Sequence, residues 1–175
     1  MTDIRQKDAC ELLDADHLAV KHLFVEYARL AYAPPPAKGV GGEDRATIAN
    51  TICDELTVHA QIEEELFYPA LRKAVSAAAD VVDEAVDEHR RVKALIAQIR
   101  ALGQADDTMD QLVTALARAV EDHVKEERDE LFAKARSAAD LDLLALGDQL
   151  RQRQQELMAD TSGARRSQTA RRVSA

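Results

Sequence analysis

Apolar positions recur at three- and four-residue intervals in long stretches of this chain, the periodicity of helices with one buried face. The first stretch runs from about Ile4 to Tyr32 and stops at "APPPAKGVGG", whose prolines and glycines cannot continue a helix. The second covers roughly Asp44 to Val75, the third about Ala79 to Leu102, and the fourth about Asp107 to Arg136. A shorter segment, "DLDLLALGDQLRQRQQELMAD", is amphipathic in its first half. No strand-type alternation competes with these patterns. Long helices with short connections predict an all-α, up-down-up-down antiparallel four-helix bundle over residues 1–137, with a short fifth C-terminal helix at 138–160 packing on it. The end, "TSGARRSQTARRVSA" at 161–175, lacks periodicity and is expected to be a disordered basic tail.

Composition narrows the picture. At 175 residues the chain fits one domain with a real core. Aromatic residues are only 3%, which disfavours sheet. The net charge of -9 argues against nucleic acid or an acidic membrane surface as a partner of the bundle. The paired arginines of the tail are read as solvated, and its "RRVS" as incidental. Cys10 and Cys53 are too few for a disulfide framework or a cysteine zinc site, and are expected to act as small buried hydrophobes. "MTDIRQKDACELL" has no apolar leader character and no later segment is long and apolar enough to span a bilayer, so the expected setting is a reducing cytoplasm.

The candidate chemistry lies on the apolar stripes. In "HAQIEEELFYP", His59 and Glu63 are four apart and share a helix face with Ile52, Leu56 and Leu66. The fourth helix repeats the arrangement with His123 and Glu127 beside Leu116, Val120 and Leu131. His17 sits between Leu13 and Val20, and His89 among Val82, Val86, Val92 and Ile96. One such histidine alone would be read as a hydrogen-bonded core residue. Four helices each turning one inward is a different matter. Imidazoles and carboxylates converging in a core need a positive charge, and a metal pair supplies it. Thiolates are absent from the constellation, an all-oxygen calcium or magnesium cage would not use four histidines, and neither zincin HExxH nor ferritin Glu-x-x-His spacing occurs. The mixed donors suit iron, with manganese, zinc or cobalt as competitors. No nucleophilic triad or phosphate loop is present.

The series His17, His59-x3-Glu63, His89, His123-x3-Glu127 resembles the hemerythrin-like (HHE cation-binding) family, bacterial type, over about residues 8 to 135. Local details agree: "DH..VK.LF" at 16–24, "H...EE..FYP" at 59–69, "EH" at 88–89 and "H...E...LF" at 123–132. The resemblance implies a non-haem di-iron centre, two iron ions with an oxo or hydroxo bridge. Carried over by motif, Glu63 and Glu127 bridge the irons, His17 and His59 serve one, and His89 with His123 the other.

One departure matters. Oxygen carriers of the family have a second histidine one turn after the first on the third helix, where this chain has Lys93. A protonated lysine cannot coordinate metal, so it is expected to snorkel outward and leave the site one imidazole short. Water, hydroxide or an oxygen donor could fill the gap, with Tyr68, Glu64 and Glu126 as candidates. His22 lies about 140° around the helix from His17 and is expected at the surface. The functions implied are interaction with O2, peroxide or nitric oxide, including slow peroxide decomposition. The alternatives are an iron-responsive sensor without turnover and a metal-free interaction bundle.

Overall fold

The computed structural model describes residues 6–32 and 42–173. Its helices are α1 (Ala9–Tyr32), α2 (Gly42–Ile62), α3 (Tyr68–Ala74), α4 (Ala79–Ala101), α5 (Asp107–Glu126), α6 (Phe132–Ser137) and α7 (Leu143–Val173), with no strand among the described residues. Two π turns, Glu63–Phe67 and Glu127–Leu131, carry α2 into α3 and α5 into α6. Each replaces part of what the periodicity predicts as one continuous helix. The backbone N–H of Tyr68 reaches back to the carbonyl of Glu63, and that of Phe132 to the carbonyl of Glu127. The extra residue in each turn rotates all that follows by roughly 100°.

Helix ends follow local chemistry. α1 starts at Ala9 and not near Ile4, which lies outside the described residues, and residues 6–8 are not helical. Asp8 sets that start: its carboxylate accepts from the Glu11 N–H at 2.9 Å, and its own N–H donates to the Glu11 carboxylate at 3.1 Å. Such a reciprocal cap stabilises a helix by about 1 kcal/mol. Asp106 caps α5 similarly, accepting from the Met109 N–H at 3.0 Å. α4 ends one residue short of Leu102, which is extended. The proline-glycine breaker lies outside the described residues up to Gly42, the first residue of α2.

α1 packs on α2 and α5, and α4 packs on α5 and α2, which closes the four-helix bundle. α7 lies outside it against α1, α2 and the first π turn, with Leu146 and Leu150 buried. Gly147 permits that approach, because a Cβ there would meet the Lys7 carbonyl at 2.8 Å and the Ala9 nitrogen at 2.9 Å. The helical backbone of α7 continues to Val173, well past the expected end at 160 and through most of the segment read as a disordered tail. Alanine, arginine and glutamine there are good helix formers, and the lone Gly163 does not stop the helix. No described helix is long and apolar enough to cross a membrane.

The core is split. One apolar cluster gathers Leu13, Phe67, Tyr68, Leu71, Phe132 and Leu150, and another gathers Tyr27, Ile52, Leu56, Ile96, Val113 and Leu116. At the far end of the second, the Tyr27 hydroxyl donates to Asp110 at 2.7 Å, and Arg45 pairs with the same carboxylate at 2.7 Å. Cys10 and Cys53 are free and fully buried, as expected, and burial pushes their thiols up to about 12 and about 11. Buried among these apolar side chains lie four histidines and two glutamates.

Candidate metal centre

All six candidate ligands from the sequence come together. His17 projects from α1, His59 from the last turn of α2, His89 from α4 and His123 from the last turn of α5. Glu63 and Glu127 are the first residues of the two π turns. Both glutamates are 0% exposed and the four histidines are buried. Two donor sets form: His17, His59, Glu63 and Glu127, and Glu63, His89 and His123. Glu63 belongs to both. Its Oε1 lies 3.2 Å from His59 Nε2 and its Oε2 lies 3.2 Å from His89 Nε2. Glu127 Oε2 is 3.1 Å from His17 Nε2 and 3.8 Å from His123 Nε2.

The outer faces of the rings are held by carboxylates. His59 Nδ1 faces Asp16 Oδ2 at 3.3 Å, His89 Nδ1 faces Glu64 Oε1 at 2.8 Å, and His123 Nδ1 faces Glu88 Oε2 at 2.7 Å. A carboxylate can only accept, so each Nδ1 carries the proton, and in the neutral ring Nε2 presents a lone pair. The Nε2 atoms of the four rings meet in pairs: His17 and His59 at 2.9 Å, His89 and His123 at 3.2 Å. None of the four carboxylate oxygens of Glu63 and Glu127 has a hydrogen-bond partner, and neither has His17 Nδ1. The short nitrogen–oxygen distances are therefore approaches of donor atoms to one point and not formed hydrogen bonds.

This arrangement is unstable by itself. Two ionised carboxylates without partners cost several kcal/mol each. The lone pairs of His89 and His123, facing at 3.2 Å, add repulsion. A metal removes both penalties, since adjacent ligands with bonds of about 2.0–2.2 Å at right angles stand about 3 Å apart. The donor spacing matches. Without metal, protons take over that role. Burial alone would lower His59, but the Glu63 charge and Asp16 hold it well above its ordinary value. Burial likewise opposes His89, yet the neighbouring Glu63 and Glu64 carboxylates hold it up at about 9. Burial raises Glu127, and the neighbouring Glu63 charge raises it further. For Glu63 the burial penalty is outweighed by His59 and His89, and its carboxyl lies well below the usual range.

A family model described as the hemerythrin HHE cation binding domain matches residues 8–135. The chain belongs to the hemerythrin HHE cation-binding family. Its buried histidine–glutamate cluster is the candidate for that domain's cation site. A crystal structure of an HHE domain-containing protein from Mycobacterium kansasii has the same fold, with a TM-score of 0.70 at 23% identity, covering 88% of this chain and 89% of that one. A protein named DNA nickase from Nostoc sp. is 29% identical over 136 residues, or 78% of this chain. This chain spans only 36% of that relative's length.

The remaining candidates separate. His22 is exposed, as its helical phase requires. Lys93 points outward, and its ammonium donates to both Glu64 oxygens at 2.7 Å. Glu64 touches the outer nitrogen of His89, not the convergence point, and Glu126 is exposed. Tyr68 does reach inward: its hydroxyl lies 3.3 Å from His89 Nε2, and the side chain is buried. The π turn explains this, because a regular helix would leave Tyr68 on the opposite side from His59. Phe132 occupies the corresponding place in the other half and stacks on His17 with ring centroids 6.1 Å apart. Asp16 and Glu88 were not singled out from sequence, although each is the acid immediately before a ligand histidine in "DH" and "EH".

A cavity of about 20 Å³ adjoins the four histidines, lined also by apolar side chains that include Val20, Leu56, Val92 and Val120. That volume accommodates one water-sized molecule.

Proposed function

We propose that this chain is a non-haem di-iron binding protein that interacts with O2, peroxide or nitric oxide, and that slow peroxide decomposition is its measurable activity. The observation that carries the proposal is the pair of buried donor sets sharing Glu63, with the Tyr68 phenol beside His89 of the second set. In this reading His17 and His59 hold one iron and His89 and His123 the other, with Glu63 and Glu127 shared between them. When bound, the two irons supply one-electron redox steps and open coordination positions. The chain supplies the rest. Asp16, Glu64 and Glu88 keep the Nδ1 protons in place so that Nε2 faces inward. The valine and leucine walls of the small cavity leave room beside the histidines for one water-sized ligand in an apolar setting.

Tyr68 sets the bias between carrying and consuming. Burial and the Glu63 and Glu127 charges push its phenol well above the ordinary range, so it stands as a neutral donor beside the second set. An oxygen donor is harder than an imidazole and favours the ferric state, which opposes reversible oxygen carriage. The reading is tested by loading the protein with ferrous iron, measuring metal content, and titrating with oxygen and then peroxide under optical monitoring. About two irons per chain, loss of the ferrous form in air and steady peroxide consumption are expected. A stable, reversible oxygen-dependent band would sink the turnover reading. One tightly held zinc without iron uptake would sink the di-iron reading.

The free buried cysteines accord with a reducing cytoplasm. The net charge of -9 opposes a DNA backbone, so the nicking named for the Nostoc relative is not extended to this chain.

A further inference from the structure

We infer that α7 is a positioning element for one half of the metal pair, acting through the Gln154 contact to Asp16 behind His59. The inference rests on the di-iron reading above. The family match ends at residue 135 and α7 begins at Leu143, so the helix lies beyond the matched segment.

Two of its side chains reach the surroundings of the first donor set. The Gln154 amide donates to Asp16 Oδ2 at 2.7 Å, the same oxygen that faces His59 Nδ1 at 3.3 Å. Arg153 pairs with Glu65 at 2.7 Å, two residues beyond Glu63 in the first π turn. Leu146 and Leu150 anchor the helix in the core, and Gly147 sets how closely it lies against the start of α1. α7 thus grips both arms that carry His17, His59 and Glu63. The other half is held differently, from within the bundle: Glu64 is fixed by Lys93 of α4.

The physical argument concerns a partly exposed carboxylate. The Asp16 side chain keeps 22% of its surface in water, so without a second contact it is free to turn away from His59. Gln154 removes that freedom and keeps the acceptor behind the ring. Outer carboxylates of this kind fix ring orientation and strengthen the imidazole as a donor, and their loss weakens metal binding by about 10–100-fold. By reciprocity, iron held by His59 favours docked α7 as strongly as docked α7 favours iron.

The test is iron release from the full-length protein. The protein is loaded with ferrous iron without oxygen, and extraction by a coloured ferrous chelator is followed in time. In Gln154→Ala one iron is expected to leave about tenfold faster while the other keeps its rate. The fast iron should be the one already missing in His17→Ala. The melting temperature of metal-free Gln154→Ala should equal that of the unsubstituted protein. Gln154→Lys, which keeps a donor to Asp16, should restore slow release. Arg153→Ala should accelerate the same iron by a smaller factor. Unchanged release in Gln154→Ala, equal acceleration of both irons, or no rescue by Gln154→Lys overturns the positioning role. Fewer than two irons in the unsubstituted protein overturns the di-iron reading itself and the inference with it, before any substitution is made.

Discussion

The two halves of the buried polar layer repeat each other closely and then diverge. His17 corresponds to His89, His59 to His123, and Glu63 to Glu127, with an acid before the first histidine of each pair, Asp16 or Glu88, behind the second. Each glutamate opens a π turn. Five residues on, the halves part: Tyr68 brings a hydroxyl to 3.3 Å from His89, whereas Phe132 offers His17 only a ring face. The comparison separates two roles. In the di-iron reading, donor spacing and the π turn make a place for metal, and the residue five positions after the glutamate sets what else that place can do.

The sharpest way to break the comparison is at the shared carboxylate. Glu63 approaches both donor sets at 3.2 Å, while Glu127 lies nearer to His17 than to His123. Glu63→Ala should therefore lose both irons, and Glu127→Ala should lose mainly the iron of His17 and His59. Metal analysis after desalting measures this. His22→Ala, at an exposed position, is the control and should keep both.

A smaller effect comes from protons. In the metal-free protein burial works against a charged His89, but Glu63 and Glu64 hold its pKa up from 6.5 to about 9. A raised folded-state pKa gives stability that is complete below about 6.5 and is lost as pH rises through about 9. The metal-free protein should melt at progressively lower temperature across that window. The iron-loaded protein should not, because metal has displaced the protons, and iron affinity should rise over the same interval. Melting curves of both forms between pH 6 and about 9.5 decide it. A metal-free protein that gains stability with pH would show that protonated His89 does not support the fold.

The finest test exchanges the aromatic pair. Tyr68→Phe makes the halves alike, and about a several-fold faster release of the iron at His89 and His123 is expected, with the other iron unchanged. Phe132→Tyr should slow release from the opposite half. Chelator kinetics read both, and identical effects of the two substitutions on both irons would remove the asymmetry.

Much of this was legible in the chain. Apolar periodicity marked the four bundle helices, because burial imposes it directly on residue spacing. The same spacing placed all six inward donors, and Lys93 and His22 outside. The π turns left no trace in composition, since they change which carbonyl accepts a hydrogen bond and not which residues are apolar. Tyr68 therefore stood beside Glu64 and Glu126 as an oxygen-donor candidate, with nothing in the sequence to show that it is the one that turns inward. Asp16 and Glu88 sit about 100° from their neighbouring ligands, off the inward face, yet reach the ring of the next helix. Gln154 is distant in sequence and meets Asp16 only because α7 folds back along the bundle.

The π turns also bear on which insertions and deletions this chain can tolerate. Each holds one residue more than a regular helix would use, beside a buried glutamate. Deleting one residue among 64–66 would let the backbone run on as an ordinary α-helix, with no break in the chain and a simpler hydrogen-bond ladder. Glu63 would keep its place, but Tyr68 and Leu71 would swing round by roughly 100°, away from His89 and out of the first apolar cluster. The local geometry that a helix would gain is therefore set against the register of everything downstream. A lineage of such sequences could hardly change length at these two turns, where a single codon separates one helical register from another.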